Sequence, residues 1–247
     1  MSDNIKVKVV NLIKKFGGLL VLDNISFEVM NGEFLCIVGP TGCGKTTFLN
    51  SLTKLYDITG GEILVNNEPV NLKNHNISYI FQEDSTMPWL TVEQNVSFGL
   101  DIKKVPFKEK KEKVNEVLDL VGLTSFRGYY PHQLSGSMLQ RVAIARAFAI
   151  NPELLLMDEP YGQLDIELRF NLEDELIKLW EKTKTTVLFI THNIEEAVYL
   201  GQNILVLTNK PTKIKKKIEV DLPRPRDITS PDFVKLRSDV TELIKWW

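Results

Sequence analysis

The chain has little cysteine, no long hydrophobic run and almost no net charge. Of its 247 residues only Cys36 and Cys43 carry thiols. One lies on an apolar segment and the other in the loop that follows, so a disulfide would distort that loop and none is expected. No stretch approaches the roughly 18 apolar residues needed to cross a bilayer. The opening Met1-Ser2-Asp3-Asn4-Ile5-Lys6 lacks the apolar core of a secretory signal. A cytoplasmic chain is expected, with any membrane role supplied by a partner. Thirty basic and 32 acidic residues leave a formal charge of −2, which gives no global basic field to hold nucleic acid. There are no repeats and no low-complexity linker. The length suffices for one domain with a subdomain, or for two small ones, and the apolar and charged fractions are ordinary for a globular protein.

What is present is concentrated in Gly39-Pro40-Thr41-Gly42-Cys43-Gly44-Lys45-Thr46-Thr47. The spacing fits GxxxxGK[ST], the phosphate-binding loop. The apolar run Glu33-Phe34-Leu35-Cys36-Ile37-Val38 before it reads as a buried strand, and Thr47-Phe48-Leu49-Asn50-Ser51-Leu52 after it opens a helix. Glycines let backbone N–H groups approach phosphate oxygens. The helix start adds unpaired donors and the positive end of a dipole. Lys45 supplies a mobile charge for the outer phosphates, and the Thr46 hydroxyl a Mg²⁺ ligand. The alternative is a chance Gly-rich turn, which leaves the strand and helix around it unexplained. Cys43, beside Lys45 and a helix N-terminus, is expected to have a lowered thiol pKa and to be open to alkylation or oxidation.

Residues 5–35 are strand-rich. Val7-Lys8-Val9-Val10-Asn11-Leu12 and Ile25-Ser26-Phe27-Glu28-Val29 alternate like half-buried strands, with Asn31-Gly32 as a tight turn. Further strands are expected at Glu62-Ile63-Leu64-Val65 and Ile77-Ser78-Tyr79-Ile80-Phe81. Residues 85 to about 150 read as a helical insertion, with an amphipathic helix from Lys108 to Leu120 and an Ala-rich one from Leu139 to Ala149. Then Leu154-Leu155-Leu156-Met157, a helix over 166–181, Thr186-Val187-Leu188-Phe189-Ile190, a helix opening at Ile194 and the strand Ile204-Leu205-Val206-Leu207 alternate. This predicts an α/β fold with a mostly parallel sheet covered on both faces.

Hydrolysis requires a metal to neutralise developing charge and a base to orient water. Asp158-Glu159 directly follows an apolar strand. Asp158 is placed to hold Mg²⁺ and Glu159 to act as general base; a surface acidic pair ending a strand is the bland alternative. Gln82 ends a strand and can ligate Mg²⁺ or position water. His192 follows Ile190-Thr191 at another strand end, where a histidine is often only a cap or a packed residue. Lys45, Gln82, Asp158 and His192 all fall at the C-terminal ends of expected strands, the edge where open α/β sheets bind ligands.

Leu134-Ser135-Gly136-Ser137-Met138-Leu139-Gln140-Arg141 resembles the LSGGQ signature of ATP-binding-cassette (ABC) ATPases. The order of motifs, from phosphate loop through glutamine loop, signature, acidic strand end and Asp-containing loop to switch histidine, resembles that family along essentially the whole chain. The resemblance implies a P-loop NTPase of ABC type over residues 1–230. It would have a mostly parallel core sheet, an N-terminal antiparallel β-subdomain and an inserted helical subdomain at about 85–150, with a helical tail at 231–247. It implies a head-to-tail dimer of two copies around two ATP molecules with Mg²⁺. Ser135, Gly136 and Ser137, which also read as a plain N-cap, would meet the ATP of the second copy. By the same resemblance Phe16 stacks on adenine, unless it is a strand-end core aromatic. His192 contacts the γ-phosphate, and Asp165 in Gln163-Leu164-Asp165 organises the opposite site. The chain departs from the pattern at Ser137, where a second Gly is usual, at Met138, where Gln is common, and at Gln163.

Met87-Pro88-Trp89-Leu90-Thr91-Val92-Glu93-Gln94-Asn95-Val96 and the tail Asp221-Leu222-Pro223-Arg224-Pro225-Arg226-Asp227 resemble importer ATPases serving nitrate, sulfonate, taurine, bicarbonate or vitamin-precursor uptake. That likeness implies transmembrane permease subunits as partners, a solute-binding protein outside the membrane, no nucleic acid, and a peripheral location on the inner face of the cell membrane. Trp89 and Leu90 are either anchors for the permease or core residues of the helical region. The Lys213-Ile214-Lys215-Lys216-Lys217 run reads as a solvated strand edge rather than a lipid patch. A soluble cassette ATPase acting on ribosomes or DNA would be expected to show tandem cassettes, coiled-coil inserts or positive charge. A small-molecule kinase would leave the signature and His192 without a role.

Overall fold

Alternating β-branched segments and amphipathic runs resolve into ten strands and seven α-helices among the described residues of a computed structural model, which describes residues 4–83, 85–162 and 166–244. The first part of the chain comprises β1 (Ile5–Phe16), β2 (Leu19–Met30), β3 (Phe34–Val38), α1 (Lys45–Leu52), β4 (Gly60–Val65), β5 (Glu68–Pro69) and β6 (Ile77–Ile80). The helices α2 (Val92–Ile102), α3 (Phe107–Leu120) and α4 (Gly136–Ala149) follow. Then come β7 (Leu154–Asp158), α5 (Ile166–Thr183), β8 (Thr186–Thr191), α6 (Ile194–Leu200), β9 (Asn203–Leu207), β10 (Ile214–Glu219) and α7 (Pro231–Ile244).

The chain divides into two compact units, one of residues 1–75 with 186–247, the other of residues 76–185. In the first, β2, β1, β4 and β5 form an antiparallel sheet in that order. Its half-polar strands alternate as one-sided sheets do. A second sheet places β3 between β8 and β9, parallel to both, with β10 antiparallel on the outer side of β9. Every residue of β3 and β8 is buried, which is why these strands read as unbroken apolar runs. The lysines of β10 lie on that edge. Lys213 pairs with Asp23 at 3.1 Å, Lys217 lies 3.4 Å from Glu33, and Lys215 Nζ donates to the Leu243 carbonyl. Lys213, Lys215 and Lys217 of the run are thus engaged locally at the strand edge.

In the second unit β6 and β7 pair in parallel, with Ile80 opposite Met157, and α2, α3 and α4 pack on one another. A capping box starts α2: Thr91 Oγ1 accepts from Gln94 N–H at 3.3 Å while Gln94 Oε1 accepts from Thr91 N–H at 2.9 Å. The fully buried Asn95 holds the preceding turn by donating to the carbonyls of Met87, Leu90 and Thr91 and accepting from Met87 N–H. That network leaves Trp89 outside, 72% exposed, so the core reading does not hold for Trp89.

Candidate functional site

The loop after β3 turns into α1 through glycines that no other residue would replace freely. Gly44, the N-cap of α1, has φ +116°, and a Cβ there would sit 2.9 Å from Val21 Cγ1. Gly42 has φ +76°, and a Cβ there would meet nothing within 4 Å, so the loop's outer face is open. Thr41, Gly42 and Thr46 are exposed, while Lys45 is 5% exposed. Its Nζ donates back to the carbonyls of Gly39 at 3.0 Å and Pro40 at 3.2 Å. The ammonium is thus held over the loop, at the positive end of α1, where an anion's oxygens would add to its partners.

Burial corrects the expectation for Cys43. The side chain is 1% exposed, and desolvation raises its thiol pKa, outweighing the lowering by Lys45. Burial disfavours the thiolate, so Cys43 is a packed core residue of the loop. Its carbonyl accepts from the Thr212 hydroxyl.

Parallel register decides where His192 stands. Val38 lies opposite Thr191, so Gly39 and His192 leave adjacent strands at the same level, with His192 exposed. Its loop is tied by residues that spacing alone did not reveal. Thr191 Oγ1 accepts from Asn193 N–H at 2.9 Å, across His192, and donates to the buried Glu196 carboxylate at 2.5 Å. Asn193 caps α6 by accepting from Glu195 N–H at 2.9 Å.

The second unit carries the acidic pair. Asp158 ends β7, 3% exposed, and its Oδ2 accepts from the Tyr79 hydroxyl at 3.3 Å. Tyr79 sits on the neighbouring strand, so only the pairing of β6 with β7 brings this partner in. Glu159 has φ +46°, left-handed backbone that residues other than glycine adopt uncommonly. Such strain costs on the order of 1–3 kcal/mol and gathers at functional sites. Gln82 is exposed, two residues beyond the end of β6. Ser135 is the N-cap of α4, its Oγ accepting from Met138 N–H at 3.4 Å and lying 3.1 Å from Ser137 Oγ. Ser135 and Gly136 are exposed and Ser137 half-buried. Gln163, Leu164 and Asp165 lie outside the described residues.

The family model described as "ABC transporter" matches residues 22–162. The chain belongs to the ABC transporter family. It is 45% identical to an uncharacterized ABC transporter ATP-binding protein of Methanocaldococcus jannaschii over 98% of this chain and 92% of that one. It is 42% identical to the aliphatic sulfonates import ATP-binding protein SsuB of Bacillus cereus over 94% of this chain and 92% of that one. Two solved cassettes share the fold. One is cbiO1 of Clostridium perfringens, part of the ABC transporter complex cbiONQ (TM-score 0.80, 25% identity, 88% of this chain and 89% of that one). The other is an ATP-binding cassette solved as a dimer with ADP and Pi (TM-score 0.76, 32% identity, 88% and 100%).

This ABC cassette is an ATPase that takes ATP with Mg²⁺. The donor set fits. Magnesium keeps waters and takes one or two protein oxygens beside substrate phosphates, not an all-protein cage. Among the described residues no cluster of His, Cys, Asp and Glu could hold a metal by itself, while the exposed Thr46 hydroxyl and the Asp158 carboxylate are oxygens of the needed kind. Phe16 ends β1, 42% exposed, so it is not a core aromatic. Tyr56, distant in sequence, meets it edge-on at 5.3 Å, and Lys14 Nζ lies 4.5 Å from its ring centroid.

Proposed function

We propose that this chain is the motor subunit of an importer, working as a pair of identical cassettes around two ATP molecules beneath a permease. It would sit on the cytoplasmic face of the membrane, and a separate binding protein would deliver the solute. The observation that carries the reading is the likeness to the sulfonate-import subunit along nearly the whole of both chains. The exposed Trp89 on a turn held from inside by Asn95 supports it. An exposed apolar side chain of that size suits an anchor for a short helix of a membrane partner. The solute belongs to the group of nitrate, sulfonates, taurine, bicarbonate or vitamin precursors.

In this reading the backbone N–H groups of residues 39–47 and Lys45 bind the phosphates, and Phe16 with Tyr56 receives the adenine. Thr46, Asp158 and Gln82 would hold Mg²⁺, which would supply positive charge against that developing on the phosphoryl oxygens. Glu159 accepts the proton of the attacking water, and its constrained backbone aims the carboxylate. His192 donates to the γ-phosphate from the end of β8. Ser135 and the N–H groups of Gly136 and Ser137 reach the ATP held by the other copy, and Asp165 works across the same interface.

The test is Glu159→Gln. ATP binding should persist, turnover should fall at least about a thousandfold, and the ATP-bound dimer should accumulate in sedimentation velocity. Wild-type turnover would remove Glu159 from the base role. Affinity capture of the tagged chain from solubilised membranes should bring down a polytopic protein. Recovery with ribosomes or DNA would overturn the importer reading.

A further inference from the structure

The tail of the chain is left without a task by the ATPase chemistry, yet it grips the helix that follows His192 at both ends. The far end of α6 is held by two arginines. Arg224 donates to the carbonyls of Tyr199, at 3.2 Å, and Leu200. Arg226, 8% exposed, donates to those of Val198 at 2.8 Å, Tyr199 at 2.9 Å and Gly201 at 2.7 Å. These are the carbonyls that a helix C-terminus leaves unpaired, and cations suit that end of the dipole. The near end is held by α7. Phe233 and Val240 are fully buried, and Arg237 lies between them at helical spacing, on the face that packs against α6. Its Nη1 bonds Glu195 Oε2 at 2.6 Å. Glu195 is in the first turn of α6, three residues from His192, and its N–H is the one capped by Asn193.

We propose that Arg237 is a positioning residue for His192. The C-terminal helix holds Glu195, Glu195 fixes the first turn of α6, and the Thr191–Asn193–Glu196 bonds transmit that position to the histidine between them. The pair is 40% and 25% exposed, and exposed pairs contribute little to global stability. Its effect is therefore placed in the site's geometry, where a misplacement of about 1 Å can cost up to a hundredfold in rate. This inference rests on the role proposed for His192.

The experiment compares MgATP turnover of the full chain, assembled as the ATP-competent dimer, among His192→Ala, Arg237→Ala, their double variant and the charge swap Glu195→Arg with Arg237→Glu. Lys8→Ala, which opens a comparable exposed pair with Glu28 at 3.1 Å, is the control and should keep wild-type turnover. Arg237→Ala should lower kcat by about three- to tenfold with the KM for ATP within about twofold. It should cost nothing further in the His192→Ala background, and the swap should restore most of the rate. Unchanged kcat, a loss that multiplies with that of His192→Ala, or a swap that restores nothing overturns the inference. An inert His192→Ala would instead overturn the role of the histidine itself. Should Arg237→Ala fold poorly, Glu195→Gln, which keeps shape and removes the charge, reads the same coupling.

Discussion

At the residue scale, the decisive competition is between burial and nearby charge. Lys45 and Cys43 sit two positions apart in one loop, and both are buried. The lysine ammonium is buried yet furnished with two carbonyl acceptors. For the thiol, desolvation outweighs the lowering by Lys45, by backbone hydrogen bonds and by Lys210. Lys45→Ala should therefore remove charge-assisted hydrogen bonds of about 1.5–3 kcal/mol, raising the dissociation constant for ATP by roughly ten- to hundredfold. Isothermal titration with ATP reads this directly, and unchanged affinity would remove Lys45 from the phosphate site. The motif residues of the loop were legible in the sequence because their chemistry depends on near neighbours. The fate of Cys43 was not, since its burial is a property of the folded loop that the neighbouring residues do not announce.

At the element scale, α6 shows how a short helix is made secure. Seven residues form too few internal hydrogen bonds to stand alone. Asn193 caps one end, and Arg226 closes the other by donating to the carbonyls of Val198, Tyr199 and Gly201 and to those of Leu222 and Val220. Burial, with Arg224 adding to it, pushes the Arg226 guanidinium down to about 10, still charged at neutral pH. Arg226→Ala would strand several buried carbonyls. The expected loss is about 2–4 kcal/mol, a fall in Tm of roughly 5–15 °C. An unshifted melting curve would mean that water reaches those carbonyls. The tail motif was visible as a run of proline and arginine, but its service to α6 could not be read, because hydrogen bonds to backbone carbonyls leave no complementary side chain in the sequence.

At the scale of the whole molecule, the proposed pairing of two copies turns on the first turn of α4, where Ser135 is the N-cap. Ser137 stands where glycine is usual, its hydroxyl 3.1 Å from that of Ser135. A Cβ on that surface limits how near another chain's phosphate can come. In the Glu159→Gln background with ATP, Ser137→Gly should lower the dimer dissociation constant by a few-fold up to about tenfold, as read by sedimentation velocity. Looser association would assign the Ser137 hydroxyl a contact of its own. Trp89 belongs to this scale too. Its neighbours in sequence are compatible with a core or an exposed position, and the buried Asn95 decides between them by holding the turn from within.

The sequence alone determined the glycine-rich loop between a strand and a helix, the acidic pair at a strand end, the parallel α/β class and the family. Each of these is written in short-range spacing or in runs whose burial on both faces demands continuous apolar residues. The tertiary structure decided what depends on pairing between distant segments. Register between β3 and β8 sets His192 level with the loop, and pairing of β6 with β7 gives Asp158 its tyrosine. Packing of α7 brings Arg237 to Glu195. Hydrogen bonds and burial act through space at a few ångströms, and separation along the chain carries no record of which segments the fold will bring that close.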